Sequence, residues 1–237
     1  MCKPMILFDL FLVRHGQSNG NAGICTGDSA ADRQDALLSE TGRRQAELLA
    51  RRFSAVPLDA VFSSGLRRAV CTAQAVVLRQ PPDGTHTVEI LPLLSECDIR
   101  EDYTGFSFEA LRELASASAA AAGWDDPQTV LPNDEETDGA YNIDRAKRVL
   151  EYLFSRFRAG EQVMVVSHGI FNTILLMQAL GVEPQRFDPD FDNTSVTHIT
   201  FYRAGTGPWG FDVRLRTLND TAHLGAEYQD HRGGNKA

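Results

Sequence analysis

The chain has 237 residues, 43% of them hydrophobic and 23% charged, with a formal net charge of -9. That length supports one large domain with a substantial core or two small ones, and the composition is ordinary for a soluble globular protein. The acidic balance argues against a nucleic-acid partner, whose phosphate backbone selects a basic face, but leaves room for a small anion held by a local arginine cluster.

The four cysteines (Cys2, Cys25, Cys71 and Cys97) are scattered without a C-x-x-C pair, so neither a disulfide framework nor a zinc site is expected. The opening run "MCKPMILFDLFLVR" is interrupted by Asp9 and lacks a small-residue cleavage site, so it reads as a buried first strand and not as a signal peptide. No run approaches the length of a membrane span. The expected location is cytoplasmic, with no membrane partner.

In chain order, Leu10–Val13 reads as an apolar strand. Gly42, Ala46, Leu49 and Phe53 then share one helical face, with Ser39 placed to cap it. Ala60–Ser63 reads as a second strand, followed by a helix from about Leu66, and Val88–Leu91 as a third strand. Between Ser116 and Asn142 the composition shifts: "SASAAAAGW" reads as a small-residue helix end and "DDPQTVLPNDEETDG" as an acidic loop. This stretch reads as an insertion over the sheet, not as an interdomain linker, because strand–helix alternation resumes directly after it. Ala146, Val149, Leu150, Leu153, Phe154 and Phe157 form a second amphipathic face. Val163–Ser167 is the next strand, with a helix after Gly169. Finally "SVTHITFY" and "FDVRLRTL" alternate with period two about a turn-rich "RAGTGPWG", as an antiparallel hairpin on the sheet edge would. The pattern predicts an α/β fold with a largely parallel sheet.

Ligands of such sheets bind beyond the carboxyl ends of the strands. Three strands end in unusual residues there: Arg14-His15-Gly16, the helix start bearing Arg67 and Arg68, and His168-Gly169. Taken singly, each has a plainer reading: a hydrogen-bonded structural histidine, a solvated helix face, a helix N-terminus. Their conjunction points to anion chemistry. Guanidinium groups match phosphate oxygens in pairs, and glycine lets backbone N–H groups approach an anion. An imidazole among guanidiniums resists protonation and keeps a lone pair for nucleophilic attack.

The stretch "LVRHGQSNGN" resembles the leading motif of the histidine phosphatase superfamily, whose fold is phosphoglycerate mutase-like. The similarity continues through "DALLSETGRRQAELLA", "FSSGLRRAVCTAQAV", "LPLLSECDIRE", "VMVVSHGIFN", "FDNTSVTHITF" and "LNDTAHL". The resemblance implies a three-layer α/β/α sandwich with a mostly parallel mixed sheet. It implies one domain over residues 1–237 with a lid-like insertion at about 98–142; the polar tail "DHRGGNKA" is expected to be disordered from about 229. It also assigns roles. His15 becomes the phosphohistidine nucleophile, and Arg14, Arg68 and His168 complete the phosphate pocket. Asn21 and Gly169 supply further phosphate-side donors, and Glu96 protonates the leaving group. Asp98 and Glu101 are rival acids. Arg67 falls at the variable position of its motif and is expected to be solvated.

Two segments depart from the family's phosphatases. The Gly-Glu-Trp-Glu-Gly-like stretch reads "EDYTGFSFEAL", keeping Gly105 alone, and Gly-Glu-Ser is replaced by "DEET", where Glu136 aligns loosely. Both bear on substrate choice and not on the phosphate pocket. The expected activity is a metal-independent, cofactor-free phosphatase acting on a small phosphoester metabolite, with a homodimer left open. A phosphoglycerate mutase-type phosphomutase ranks lower, because the "Glu-Arg-His-Tyr-Gly" stretch of that branch is replaced by "SECDIRED". A non-catalytic phosphate-binding protein ranks lower still.

Overall fold

A computed structural model describes residues 5–24, 27, 29, 32, 34–97, 103, 105–123, 139–183, 189–203, 207 and 209–229. Strand β1 (Ile6–Arg14) is longer than the apolar run alone predicts. Its period-two alternation splits the side chains between two cores: Phe8, Leu10 and Leu12 pack on one side of the sheet, Phe11 and Val13 on the other. Asp9, the break in the run, is tolerated because a neighbouring strand brings donors to it. His198 Nε2 donates at 2.7 Å and Thr200 Oγ1 at 2.6 Å.

Helix α1 (Glu40–Phe53) starts where Ser39 Oγ accepts the Gly42 N–H at 3.0 Å, and it buries the expected face of Gly42, Ala46, Leu49 and Phe53. Strand β2 (Ala60–Ser63) leads into α2 (Arg67–Val77), with Leu66 at the N-cap. Strand β3 (Val88–Ile90) is followed by a 3₁₀ turn at Pro92–Leu94, helix α3 (Phe108–Leu114) and strand β4 (Ser118–Ala120). Helix α4 (Gly139–Arg156), strand β5 (Glu161–Ser167) and helix α5 (Gly169–Leu180) complete the alternation. Strands β6 (Val196–Tyr202) and β7 (Asp212–Asp220) form the expected antiparallel hairpin at the edge.

Among the described residues seven strands lie in the order β4-β3-β2-β5-β1-β6-β7. Those from β4 to β1 run parallel, β6 runs antiparallel to β1, and β7 runs antiparallel to β6. One core joins the sheet to α4 and α5 through Leu150, Leu153, Phe171 and Leu175. The other joins it to α1, α2 and α3 through Leu49, Phe53, Val70, Val76 and Leu111. The architecture is the expected α/β/α sandwich with a mostly parallel mixed sheet. Each fully buried Leu or Phe contributes about 2 kcal/mol, so the two layers of helices are held chiefly by these faces.

One local expectation is overturned. "SASAAAAGW" is not a helix end: Ser118–Ala120 pairs with β3 as an edge strand. Val88 N–H donates to Ala117 O at 2.9 Å and Ala121 N–H to Ile90 O at 3.0 Å. Unsatisfied groups on β3 thus override the helical preference of alanine. Of the segment expected to be a lid, residues 98–102, 104 and 124–138, with Glu136 among them, lie outside the described residues, as do 230–237 of the tail.

Candidate active site

The sheet register itself assembles the site. Arg14 on β1 pairs with Ser167 on β5, and the His15 N–H continues the ladder to Ser167 O at 3.0 Å. One step further along each parallel strand stand His15 and His168, so they emerge side by side. Their ring centroids are 5.0 Å apart at 58°. On the far side of β5, Ser63 pairs with Val166, which brings Ser64 level with the same end. Ser64 Oγ and His168 Nε2 share a 2.7 Å hydrogen bond.

Two glycines let the loop after β1 fold back onto α1. A Cβ on Gly16 would meet Gly42 O at 2.6 Å, and one on Gly42 would meet Gln17 O at 1.9 Å. Backbone therefore lies against backbone. The Gly16 N–H donates to Thr72 Oγ1 at 3.0 Å, and Gln17 N–H to Gln45 Oε1 at 2.8 Å.

The tautomer of His15 follows from its partners. Nδ1 is 2.7 Å from Gly16 O, which can only accept, so Nδ1 carries the proton. Nε2 accepts from Arg68 Nε at 3.1 Å, so Nε2 carries no proton and its lone pair is held by the guanidinium. Burial, then the charges of Arg68 and Arg14, hold His15 well below the ordinary imidazole value, against the opposing bond to Gly16. His168 is likewise depressed, by burial first and then by Arg68, His15, Arg14 and Arg145. Both rings are neutral near pH 7.

The two arginines of the pocket are only 9% exposed, and backbone carbonyls aim them. Arg14 Nη1 donates to Phe191 O at 2.6 Å and Arg68 Nη1 to Gln34 O at 2.9 Å. Behind Arg68 lies the fully buried carboxylate of Asp35. Burial raises the Asp35 carboxyl above its usual range, although Arg68, Tyr103 and Arg67 pull the other way. Arg67 is not solvated as expected. Its N–H donates to Asp35 Oδ1 at 2.7 Å and its Nε to Asp35 O at 2.9 Å, and its guanidinium lies over Phe106, 4.6 Å from the ring centroid. The buried carboxylate draws it in.

The structure thus brings His15, His168, Arg14 and Arg68 together. Gly169 adjoins them: a Cβ there would lie 3.7 Å from Arg14 Nε, ordinary contact, so space does not demand glycine. Glu96 follows the 3₁₀ turn after β3. Its Oε1 accepts from Cys97 N–H at 3.0 Å and from Phe171 N–H in the first turn of α5 at 3.1 Å. Its charge is felt by Arg68 and by Arg145. Asn21 sits in an exposed turn, where Oδ1 accepts from Ser18 N–H at 3.2 Å. The rival acids Asp98 and Glu101 lie outside the described residues.

Sequence reasoning missed the support behind the site. Asn193 Nδ2 donates to His15 O at 2.8 Å, and Thr194 N–H to Arg14 O at 2.9 Å. Thr194 does so with φ of 57°, a left-handed conformation that nothing in its residue type announces. Thr72 was findable, since it falls one helical turn after Arg68 and its hydroxyl donates to Arg68 O at 2.7 Å. Asp35 opens the family-like stretch "DALLSETGRRQAELLA", but nothing in the sequence assigns it a role.

Among the described residues no group of three or more His, Cys, Asp or Glu side chains could hold a metal ion. Nor is any described helix long and apolar enough to cross a membrane.

A three-layer sandwich whose parallel strands deliver two neutral imidazoles and two guanidiniums to one end is the architecture of a histidine phosphatase. The model of the histidine phosphatase superfamily (branch 1) matches residues 10–209, and the chain belongs to that superfamily. It is 27% identical to a probable phosphatase of Schizosaccharomyces pombe, over 92% of this chain and 96% of that one. It is 33% identical to the 2,3-bisphosphoglycerate-dependent phosphoglycerate mutase of Rhizobium etli, over 73% of this chain and 79% of the other. Among solved structures it resembles mycobacterial glucosyl-3-phosphoglycerate phosphatase in complex with VO3, with a TM-score of 0.58, 25% identity and coverage of 90% and 98%.

Proposed function

We propose that the protein is a metal-independent phosphomonoesterase that passes the phosphoryl group of a small phosphorylated metabolite to His15 and then to water. The observation that carries this reading is the state of His15: Nδ1–H is committed to Gly16 O, while Nε2 keeps its lone pair among guanidiniums. Substrate binding exchanges the Arg68 Nε–His15 Nε2 bond for donor bonds from Arg68 to phosphate oxygens. Arg14, His168, Asn21 and Gly169 supply the other contacts to the phosphate. Nε2 then forms the N–P bond as the P–O bond to the leaving group breaks, and Glu96 gives that alkoxide its proton. In the second half Glu96 takes a proton from water, the oxygen attacks phosphohistidine, and inorganic phosphate leaves. Donors fixed in a water-poor pocket stabilise the equatorial oxygens in both halves.

The test is to mix enzyme with radiolabelled phosphoester, quench in alkali and count label on the protein. Label on wild type and none on His15→Ala is expected; equal label on both overturns the mechanism. A phosphomutase is the second reading, favoured by the 33% identity to the Rhizobium etli mutase. Conversion of 3-phosphoglycerate to 2-phosphoglycerate without phosphate release would put it first. Two of the proteins named above carry phosphoglycerate in their names, so phosphorylated hydroxy acids head the substrate screen.

A further inference from the structure

Among the described residues Asp35 is the only carboxylate with no solvent exposure, and the proposed chemistry does not use it. An isolated charge at such depth is strongly disfavoured, so its partners define its purpose. Oδ1 accepts the Arg67 N–H at 2.7 Å, which caps the start of α2, and lies 3.7 Å from Arg68 Nη1. Oδ2 accepts from Tyr103 OH at 2.8 Å and lies 3.6 Å from Arg67 Nε. The carboxylate therefore sits at the base of two consecutive arginines. Only the second of these meets the catalytic ring, through Arg68 Nε and His15 Nε2 at 3.1 Å. The backbone adds to the hold, since Gln34 O accepts from Arg68 Nη1 at 2.9 Å.

We propose that Asp35 is a positioning residue: it pins one edge of the Arg68 guanidinium so that the opposite edge stays aimed at His15 and at the phosphate that His15 attacks. Arg68 has several rotatable bonds, and a guanidinium free to sample them loses its directed donors. Pinned by Asp35 and Gln34, it pivots little between the empty and the phosphate-bound pocket. Tyr103 holds the other carboxylate oxygen, and Arg67 lies over Phe106, so the same carboxylate is held from several sides.

The inference rests on Arg68 being a phosphate ligand, and its test separates the two ideas. Asp35→Asn keeps a hydrogen-bonding side chain but removes the charge. On p-nitrophenyl phosphate it is expected to lower kcat/KM about 10- to 100-fold and to weaken orthovanadate inhibition by a similar factor. In an Arg68→Ala background the same substitution should change either quantity less than about twofold, because the residue through which it acts is gone. Arg67→Ala disturbs the same cluster without touching His15 and should stay within about threefold of wild type. If Asp35→Asn does not fold, Asp35→Glu enters the same cycle, since it keeps the charge and shifts it by one methylene. Equal losses with and without Arg68, or losses in Arg67→Ala that match those in Asp35→Asn, assign Asp35 a purely structural role and overturn the proposal. If wild type hydrolyses no phosphoester, the phosphatase reading fails instead, and the cycle is read on vanadate-induced stabilisation against heat.

Discussion

Strand β1 carries two polar clusters, one in its first half and one at its end, and they are built on opposite plans. At Asp9 a carboxylate meets donors: His198 at 2.7 Å, Thr200 at 2.6 Å, with Arg216 Nε bonded to Thr200 Oγ1 at 3.0 Å. Burial pushes the Asp9 carboxyl up, but the His198 and Thr200 bonds and the nearby positive groups outweigh it, and its pKa is lowered. At Arg14-His15 the protein gathers cations and rings and leaves the pocket face to donors, with backbone carbonyls and a buried carboxylate holding them from behind. The first cluster closes upon itself and serves the fold. The second gathers guanidiniums around two neutral rings and, on the proposed function, is completed by the substrate's phosphate. Histidine occurs in both, so residue type does not separate them; what surrounds the ring does.

That contrast can be broken most sharply at its centre. Replacing His15 by Ala removes the proposed nucleophile and should lower kcat by about 10⁴-fold or more, measured as phosphate release. Should the variant keep wild-type turnover, the open cluster is not catalytic. Arg68→Ala takes away one directed donor and should cost about 10²- to 10³-fold in kcat/KM.

The pH dependence sharpens the difference between the clusters. Burial, Arg68 and Arg14 keep the folded-state pKa of His15 well below 6.5, so kcat/KM should show no acid limb at 6.5 from this ring. The sign for stability follows from linkage. As pH falls below about 6.5, the unfolded chain binds protons at residues 15 and 168 that the folded chain refuses. Stability then declines by up to about 1.4 kcal/mol per pH unit for each ring, until the depressed folded values are reached. His168→Asn should flatten this slope in denaturant titrations between pH 6.5 and 5. The Asp9 cluster behaves otherwise: its contribution is present above the ordinary carboxylate value and is lost only as pH falls through the lowered folded value. The smallest effect is expected there. Asp9→Asn should leave kcat/KM within about twofold while reducing stability by about 1–2 kcal/mol. A large loss of activity instead would mean that the closed cluster communicates with the pocket.

The sequence makes the open cluster more legible than its supports. Short apolar runs ending in Arg14-His15-Gly16 and His168-Gly169 mark strand ends, and the parallel order of the strands follows from the alternation with helices. Their juxtaposition is then a matter of register. Asp35 is different. It lies outside any periodic element, and only the tertiary arrangement shows that α2 begins above it. Arg67 reads as solvated for the same reason, since the sequence does not show the buried carboxylate beneath the helix start. The β4 strand escaped because alanine favours helix and the demand for pairing came from β3, some 30 residues earlier in the chain. The Asp9 pairing escaped likewise, since its donors come from β6 at the other end of the sequence.

The in-register pairing of Arg14 with Ser167 has a consequence for how the enzyme comes into being. The two imidazoles meet only after β1 has closed against β5 (Glu161–Ser167), far along the chain, so on the proposed function a nascent polypeptide is inert until β5 has emerged and docked. Splitting the chain between these strands would yield two dead fragments, and turnover would return only as they reassociate, with a rate second order in fragment concentration.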